Sequence, residues 1–200
     1  MFSRYRPAPL SAILFVAILA AWFLSGRFLG LDWLASQKSS LLLQTGAVDG
    51  AALGRGEYWL LLTSQFLHVH FFHMLFNAAS IYVLGHAIER GVGKTALACT
   101  YFVGGTIGQY FSVLSQPGLA SSGASQALMA LCGFVLVCAR RCGFPPFVLI
   151  AALAIVGIQV GLDVAAIGSI KAGHGYGFAA GAVMGVCCIV LMYTRVRKSS

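Results

Sequence analysis

Residues 121–139 read SSGASQALMALCGFVLVCA, a short polar turn that leads into an almost wholly apolar run. A helix that is apolar on every side must be buried in protein or in lipid. Gly123 permits close backbone approach, and Ser125 then begins the helix, where free N–H groups can stabilise a charged oxygen. The same residues also suit an ordinary helix cap. Ser125 is therefore a candidate nucleophile only if a base on another helix reaches it.

The composition is typical of a membrane protein and excludes several functions. Of the 200 residues, 59% are hydrophobic and 9% are charged, whereas a soluble domain carries about 25% charged residues. The five carboxylates form no pair within the apolar runs, which excludes an intramembrane aspartyl protease, and the His-Glu-x-x-His helix of zinc proteases is missing. The six cysteines form no metal-type Cys-x-x-Cys pair. We therefore predict no disulfide, no metal and no cofactor.

The apolar runs predict a single all-α membrane domain over residues 1–200, embedded in the lipid bilayer by six transmembrane helices. The helices are expected at approximately residues 10–29, 71–88, 95–114, 125–139, 146–162 and 172–193. The first run is longer than the apolar core of a signal peptide, which is about 7–15 residues. We therefore expect this first helix to be retained in the protein.

The basic residues predict the orientation of the bundle. With a cytoplasmic N-terminus, nine of the 13 lysines and arginines lie on the cytoplasmic side: Arg4, Arg6, Arg90, Lys94, Arg140, Arg141, Arg195, Arg197 and Lys198. The other four lie outside: Arg27, Lys38, Arg55 and Lys171. This distribution follows the positive-inside rule and predicts that both termini are cytoplasmic. No basic patch is interleaved with aromatic residues, so no nucleic-acid partner is expected despite the net charge of +8.

The last predicted helix carries a histidine beside a stripe of glycines. The stripe has a glycine at every fourth position: Gly173, Gly177, Gly181 and Gly185. Such stripes let two helix backbones approach closely in lipid, and ionisable residues in membrane helices are functional by default. The helix at 125–139 is the expected partner, through Ser125, Met129, Cys132 and Leu136. His174 lies on nearly the same face as the stripe, so its Nε2 could take the proton of the Ser125 hydroxyl.

A third polar group lies at the start of the second helix. His73 and Asn77 are four residues apart and share a helix face. Both side chains can donate hydrogen bonds, which suits an oxyanion hole completed by the backbone N–H of Ser125. A zinc site formed by His68, His70 and His73 is the alternative, but no acidic or cysteine co-ligand is evident.

A glycine-rich turn at residues 91–95, with the sequence GVGKT, is similar to part of a phosphate-binding loop. The first glycine of that loop is missing, because its position is occupied by Ile88. We therefore interpret this segment as a cytoplasmic turn and expect no nucleotide partner.

Three motifs follow one another in a fixed order on three predicted helices. They are His68-x4-His73-x3-Asn77, Gly123-x-Ser125 and His174-x2-Gly177-x3-Gly181. In this order and spacing the chain resembles the rhomboid family of intramembrane serine proteases, over roughly residues 57–185. The resemblance implies a six-helix rhomboid-like bundle with a Ser125–His174 catalytic dyad and no acidic third member. His73 and Asn77 would hold the oxyanion together with the Ser125 N–H.

The resemblance also implies the biochemical activity. It predicts a serine endopeptidase that cleaves peptide bonds in or near transmembrane segments of other membrane proteins, with lateral substrate entry past the fifth helix. It places His68 near the water supply in the embedded first loop. Because compact six-helix members are bacterial, a bacterial inner membrane is the expected location. The alternatives are a catalytically inactive rhomboid-like protein that binds membrane clients, and a small transporter or channel.

Three positions depart from the pattern of the family. Gln126 follows the serine where glycine is usual, Leu60 follows Trp59 where arginine is usual, and Met129 occupies the place of an aromatic residue that stacks on the catalytic histidine. None of these changes removes a proton-transfer or oxyanion group. Activity is therefore still expected, and Gln126 could either narrow the pocket or add a hydrogen-bond donor.

Overall fold

A computed structural model of the protein describes residues 8–198, which form helices and connecting loops with no β-strand among them. The nine α-helices of this part are, in chain order, α1 (Pro9–Phe28), α2 (Ser39–Leu42), α3 (Gly50–Gly54), α4 (Leu60–Thr63), α5 (Phe71–Gly91), α6 (Lys94–Ser115), α7 (Ser125–Cys138), α8 (Pro146–Ile167) and α9 (Ala172–Lys198). The six long helices are those that the apolar runs predict. The three short ones belong to the long connection between α1 and α5.

Two of the long helices extend five residues further than predicted, and these are the largest differences from the expected bounds. The helix expected at 146–162 continues to Ile167, and the one expected at 172–193 continues to Lys198. In α8 the residues after Leu162 stay largely apolar, and the helix ends only at Gly168, which has a left-handed conformation with φ of 71°. The prediction ended this helix at the carboxylate of Asp163. It was wrong because that carboxylate is paired inside the protein instead of lying in the loop.

Four of these helices, α1, α5, α8 and α9, are long and apolar enough to cross a membrane. Helix α7 is apolar but has only 14 residues. The described residues are therefore those of a helical, multi-pass membrane protein. The six-span count, the single domain and the cytoplasmic termini stay predictions. Two of the basic residues used to predict the orientation, Arg4 and Arg6, lie outside the described residues.

Helix α7 is the centre of the bundle, with 12 of its 14 residues buried. Helix α9 packs directly on it through the predicted glycine stripe. A Cβ atom on Gly181 would overlap the carbonyl group of Ala130, and one on Gly177 would lie 2.5 Å from the carbonyl oxygen of Gln126. These are backbone-to-backbone contacts that only glycine allows.

The partner of the glycine stripe is the predicted helix, but the predicted face is wrong. The α7 atoms nearest to the stripe belong to Gln126, Ala130, Phe134 and Val137 instead of Ser125, Met129, Cys132 and Leu136. The small Ala130 and Gly133 permit a closer approach than the long side chains of Met129 and Leu136. Packing in lipid is optimised by close approach, so the small residues determine the face.

The connection between α1 and α5 holds the turn that precedes α7. Val48 and Ser121 exchange two backbone hydrogen bonds, of 3.2 and 2.7 Å, and the N–H of Gly50 donates to the carbonyl of Pro117 at 3.0 Å. The connection and the turn therefore lie at the same end of the bundle. This contact fixes where α7 begins, and with it the position of Ser125.

At the opposite end of the bundle, a buried carboxylate joins α5 to α1. Glu89, which is 4% exposed, accepts hydrogen bonds from the backbone N–H groups of Leu10 and Ser11 at 3.0 and 2.8 Å. These are first-turn N–H groups of α1, which have no acceptor within the helix, and the positive end of a helix dipole favours an anion. Glu89 thus has a structural role, far from Ser125.

Candidate active site

Ser125 and His174 meet inside the bundle. Ser125 is the first residue of α7, and His174 lies in the first turn of α9. The Oγ atom of Ser125 is 2.9 Å from Nε2 of His174, and both side chains are buried. The serine hydroxyl and the imidazole are therefore within hydrogen-bonding distance, which is the geometric requirement for an activated serine.

A third residue, Asp163, completes this arrangement from α8. Its Oδ2 lies 2.6 Å from Nδ1 of His174, on the side of the imidazole ring that faces away from Ser125. The Asp163 side chain is also buried, at 2% exposure. The resemblance implied no acidic residue beside His174, and the structure places Asp163 there. The contact was not predicted because the expected fifth helix ends before Asp163, which places this residue in a loop.

The carboxylate of Asp163 has further partners at the start of α9. Its Oδ2 accepts a hydrogen bond from the backbone N–H of Lys171 at 3.0 Å, and its Oδ1 lies 3.5 Å from the Lys171 ammonium. The lysine side chain is half exposed, so screening by solvent weakens its part of the interaction. The buried contacts of Asp163 are therefore the two donors, the imidazole and the backbone N–H.

The turn before Ser125 is held by hydrogen bonds that the sequence did not reveal. Gly123 has a φ of 124°, a conformation that strongly favours glycine. Its N–H donates to the carbonyl of Ser64 at 2.9 Å, and its carbonyl accepts from Nε2 of Gln109 at 2.9 Å. Oε1 of Gln109 in turn accepts from the hydroxyl of Ser121 at 2.5 Å. Gln109, which is fully buried on α6, thus fixes the turn. The sequence could have pointed to this residue, because a polar side chain inside a membrane helix is costly and usually has a role.

His68 supports the same turn. Its Nε2 accepts a hydrogen bond from the backbone N–H of Ala124 at 3.2 Å, and its Nδ1 faces the carbonyl of Phe66 at 3.3 Å. Burial, assisted by the charge of nearby His73, lowers the pKa of His68 to about 3. The ring is therefore neutral at physiological pH, as an acceptor role requires. His68 does not line the cavity described next, so its contacts are those of a support for the backbone before Ser125.

A cavity of about 690 Å³ opens beside the serine. Ser125, Gln126, His73, Asp163 and His174 are among the residues that line it. The N–H of Ser125 lies in the first turn of α7, where helices lack an internal acceptor. A cavity of this size, lined by both polar and apolar side chains, can admit a peptide backbone together with water.

The two predicted oxyanion residues occupy different environments. His73 lines the cavity, whereas Asn77 does not. The Nδ2 group of Asn77 donates to the backbone carbonyl of His73 at 2.9 Å, and its buried Oδ1 has no hydrogen-bond partner. In this arrangement Asn77 supports the backbone of His73. A donor role of Asn77 toward a substrate would require its amide to leave that carbonyl.

The histidine cluster does not form the alternative zinc site. Nδ1 of His70 is hydrogen-bonded to the hydroxyl of Ser36 at 2.9 Å, while His68 is engaged with Ala124. Within residues 8–198 the group of potential metal ligands that does come together is Cys138, Cys142 and Cys188, with sulfur atoms within 4.8 Å of one another. These cysteines lie near the C-terminal end of α7, remote from Ser125 at its start.

A family model describing the rhomboid domain matches residues 55–192. The chain belongs to the rhomboid family. The putative rhomboid protease YdcA of Bacillus subtilis is 37% identical over 100 residues, which are 48% of this chain and 50% of that protein. The rhomboid protease GluP of the same bacterium is 30% identical over 128 residues, 64% of this chain and 24% of that protein. The inactive RHOMBOID-like protein 8 of Arabidopsis thaliana is 32% identical over 99 residues, 49% of this chain and 28% of that protein.

This rhomboid spans half or less of the length of those three relatives. Two of them are named as proteases and one as inactive, so family membership alone does not decide whether the chain is an enzyme. The relatives come from a bacterium and a plant. A bacterial inner membrane therefore stays a prediction.

The residue that departs most from the rhomboid pattern, Gln126, contacts the hydroxyl of Ser125 directly. Its Oε1 is 3.2 Å from Oγ of Ser125 and 3.5 Å from Nε2 of Gln109. Its Cβ and Cγ atoms fill the space between Gly108 of α6 and Gly173 of α9. Gln126 thus forms part of the packing between three helices and, at the same time, a second acceptor for the serine proton.

The other two departures, Met129 and Leu60, take no part in the hydrogen bond between Ser125 and His174. Met129 is buried in α7 and does not line the cavity. Trp59 is exposed on the connection between α1 and α5, with Leu60 beginning α4. Neither residue contacts Ser125 or His174 through a hydrogen bond.

Proposed function

We propose that this rhomboid is an intramembrane serine endopeptidase that cleaves peptide bonds in or near transmembrane segments of other membrane proteins. The observation that carries the proposal is the 2.9 Å distance between Oγ of Ser125 and Nε2 of His174 beside a cavity of about 690 Å³. A buried serine hydroxyl and imidazole in this geometry constitute the minimum apparatus for acyl transfer.

In the proposed reaction, Ser125 attacks the carbonyl carbon of the scissile bond while its proton moves to Nε2 of His174. The C–N bond then breaks, and the imidazolium returns the proton to the leaving amine. Water enters, loses a proton to His174 and hydrolyses the acyl-enzyme, which regenerates the serine. Each proton taken up by Nε2 is released in the following step.

The negative charge on the tetrahedral intermediate requires donors beside Ser125. The backbone N–H of Ser125 is one candidate, because it lies in the first turn of a helix where the dipole favours an anion. His73 lines the same cavity and is the second candidate. Asn77 is the third, provided that its amide rotates away from the carbonyl of His73.

The substrate class follows from the surroundings of the site. The cavity lies within a bundle whose outer surface is rich in exposed apolar side chains, as expected for a protein in lipid. A peptide bond in a transmembrane helix is shielded by the hydrogen bonds of that helix. The helix must therefore unwind locally before a serine can attack the bond. Segments with small or helix-breaking residues are therefore the expected targets.

The proposal is tested with purified protein and a fused transmembrane substrate. Ser125→Ala and His174→Ala should each reduce cleavage by at least about 10³-fold, because both residues act in the same proton transfer. A fluorophosphonate probe should label the wild type at Ser125 and leave Ser125→Ala unlabelled. Equal cleavage by the wild type and both variants would refute the proposed protease activity of Ser125 and His174. Absence of labelling together with tight binding of the substrate would favour the inactive, client-binding alternative.

A further inference from the structure

The carboxylate of Asp163 is placed where an orienting residue for His174 would be. It lies on α8, within the apolar bundle, and its Oδ2 is 2.6 Å from Nδ1 of His174. On the other side of the ring, Nε2 is 2.9 Å from Oγ of Ser125. Three side chains from three different helices are thus connected in one line of hydrogen bonds.

We infer that Asp163 is a positioning residue of this rhomboid, holding His174 in the tautomer and orientation in which its Nε2 can accept the proton of Ser125. The inference rests on the proposed function and deepens it, because it assigns a third, acidic member to the pair. Asp163 does not touch the substrate; it acts through the imidazole.

The burial of Asp163 supports a specific role. A carboxylate inside a membrane protein is costly to desolvate and is retained only where donors compensate its charge. A neutral asparagine or serine side chain could equally accept the hydrogen bond from the backbone N–H of Lys171, so that contact alone does not require a carboxylate. The short contact with His174, at 2.6 Å, is typical of a charge-assisted hydrogen bond and uses the negative charge of the side chain.

The tautomer of His174 follows from this contact. A carboxylate only accepts hydrogen bonds, so Nδ1 must carry a proton and donate it to Asp163. In the neutral ring Nε2 is then unprotonated and can accept only, which is the state that a general base needs. Without Asp163, the ring could carry its proton on Nε2 and would then no longer accept from Ser125.

Asp163 also stabilises the charge that develops during the reaction. When Nε2 receives the serine proton, the ring becomes an imidazolium cation beside the carboxylate. Asp163 remains ionised throughout, and Nδ1 keeps its proton, so one proton is transferred from Ser125 to His174 and none reaches Asp163. When the leaving amine takes that proton, the ring returns to its neutral state.

A purely structural role is the rival explanation. Asp163 bridges α8 to the start of α9 through the backbone N–H and the ammonium of Lys171. If this bridge were its whole function, Asp163→Asn should cost no more than removal of the ammonium, because its amide oxygen can still accept from the backbone N–H of Lys171. Lys171→Met removes the ammonium while it leaves the backbone N–H and His174 in place.

The kinetic test compares Asp163→Asn with Lys171→Met and with Asp32→Asn. Asp163→Asn should lower kcat on the order of 10²-fold with little change in KM, because positioning of the base acts on the chemical step. Lys171→Met should lose no more than about fivefold, as expected for a half-exposed ion pair. Asp32→Asn makes the same chemical change at an exposed residue and should match the wild type. Asp163→Glu, which restores the charge, should recover part of the loss.

A spectroscopic test does not depend on proteolysis or on tolerance of the Asp163 substitution. In the Ser125→Ala protein, ¹⁵N NMR of the His174 ring should show a protonated Nδ1, with its proton far downfield, and an unprotonated Nε2. A ring protonated on Nε2 alone would overturn the inference. A kcat of Asp163→Asn equal to that of an active wild type would do so as well. If the wild type neither cleaves nor reacts with the fluorophosphonate, the proposed function fails, while the NMR result still decides the pairing.

Discussion

At the scale of single residues, the hydroxyl of Ser125 has one proton and two acceptors. Nε2 of His174 lies at 2.9 Å and Oε1 of Gln126 at 3.2 Å. Only the first contact can serve the proposed proton transfer, because the amide of Gln126 is too weak a base to take the proton. In the resting state Gln126 therefore competes with the Ser125–His174 hydrogen bond that the proposed reaction requires, and glycine, the residue usual in the family, could not do so.

Replacement of this glutamine should make the serine more reactive. Gln126→Met keeps the volume that fills the space between α6 and α9 and removes the competing oxygen. Since a hydrogen bond contributes about 0.5–1.5 kcal/mol net, the rate of fluorophosphonate labelling should rise about two- to tenfold. Gln44→Met, an identical change at an exposed residue, is the control. A lower labelling rate in Gln126→Met would instead mean that the amide orients Ser125.

The sequence revealed some residues of the site and not others, for physical reasons. Ser125 and His174 could be predicted because each is a polar residue at the start of an apolar helix, next to glycines. Asp163 could not, since it stands at the edge of an apolar run, where a charged residue usually marks the end of a span. Its role depends on α8 continuing past it to Ile167, and a pairing between helices is not encoded in the local sequence.

At the scale of elements, the approach of α9 to α7 sets the distance between the serine and the histidine. The two helices contact each other backbone to backbone at Gly177 and Gly181. Helix positions followed from the lengths of the apolar runs, because the bilayer fixes how long a span must be. The face of α7 that contacts α9 could not be predicted in this way, because it depends on which side of α7 carries side chains small enough for close approach.

A methyl group in this contact should separate the helices. Gly181→Ala would place a Cβ against the backbone carbonyl of Ala130, which cannot give way as a side chain can, and overpacking of this kind costs about 1–3 kcal/mol. Gly157→Ala on α8 meets open space and should be neutral or stabilising by up to about 1 kcal/mol. Thermal unfolding in detergent, followed by helical circular dichroism, measures both. Equal thermal stability of the two variants would show that α7 and α9 can move apart without loss of stability, and would contradict this prediction.

At the scale of the whole molecule, the number of membrane spans decides where the turn before Ser125 lies. By length and apolarity α1, α5, α8 and α9 can each cross, and α6 and α7 do not meet the same standard. Yet α6 has 22 residues, or roughly 33 Å at 1.5 Å per residue, which is enough to span a bilayer. The hydrogen bonds between Val48 and Ser121 also place the α6–α7 turn at the end of the bundle where the α1–α5 connection lies.

We therefore predict six spans, with both termini cytoplasmic and the α6–α7 turn on the outside. Three cysteine variants test this in intact cells with a membrane-impermeant maleimide, against the wild-type background. Lys38→Cys should be labelled from outside and Arg141→Cys only after permeabilisation, whether the chain has four spans or six. Gly118→Cys, in a turn with open space around it, should be labelled from outside only if α6 and α7 both cross. Protection of Gly118→Cys alongside the expected behaviour of the two controls would reduce the count to four, and would leave Ser125 without access to the outer side on which its water supply is predicted.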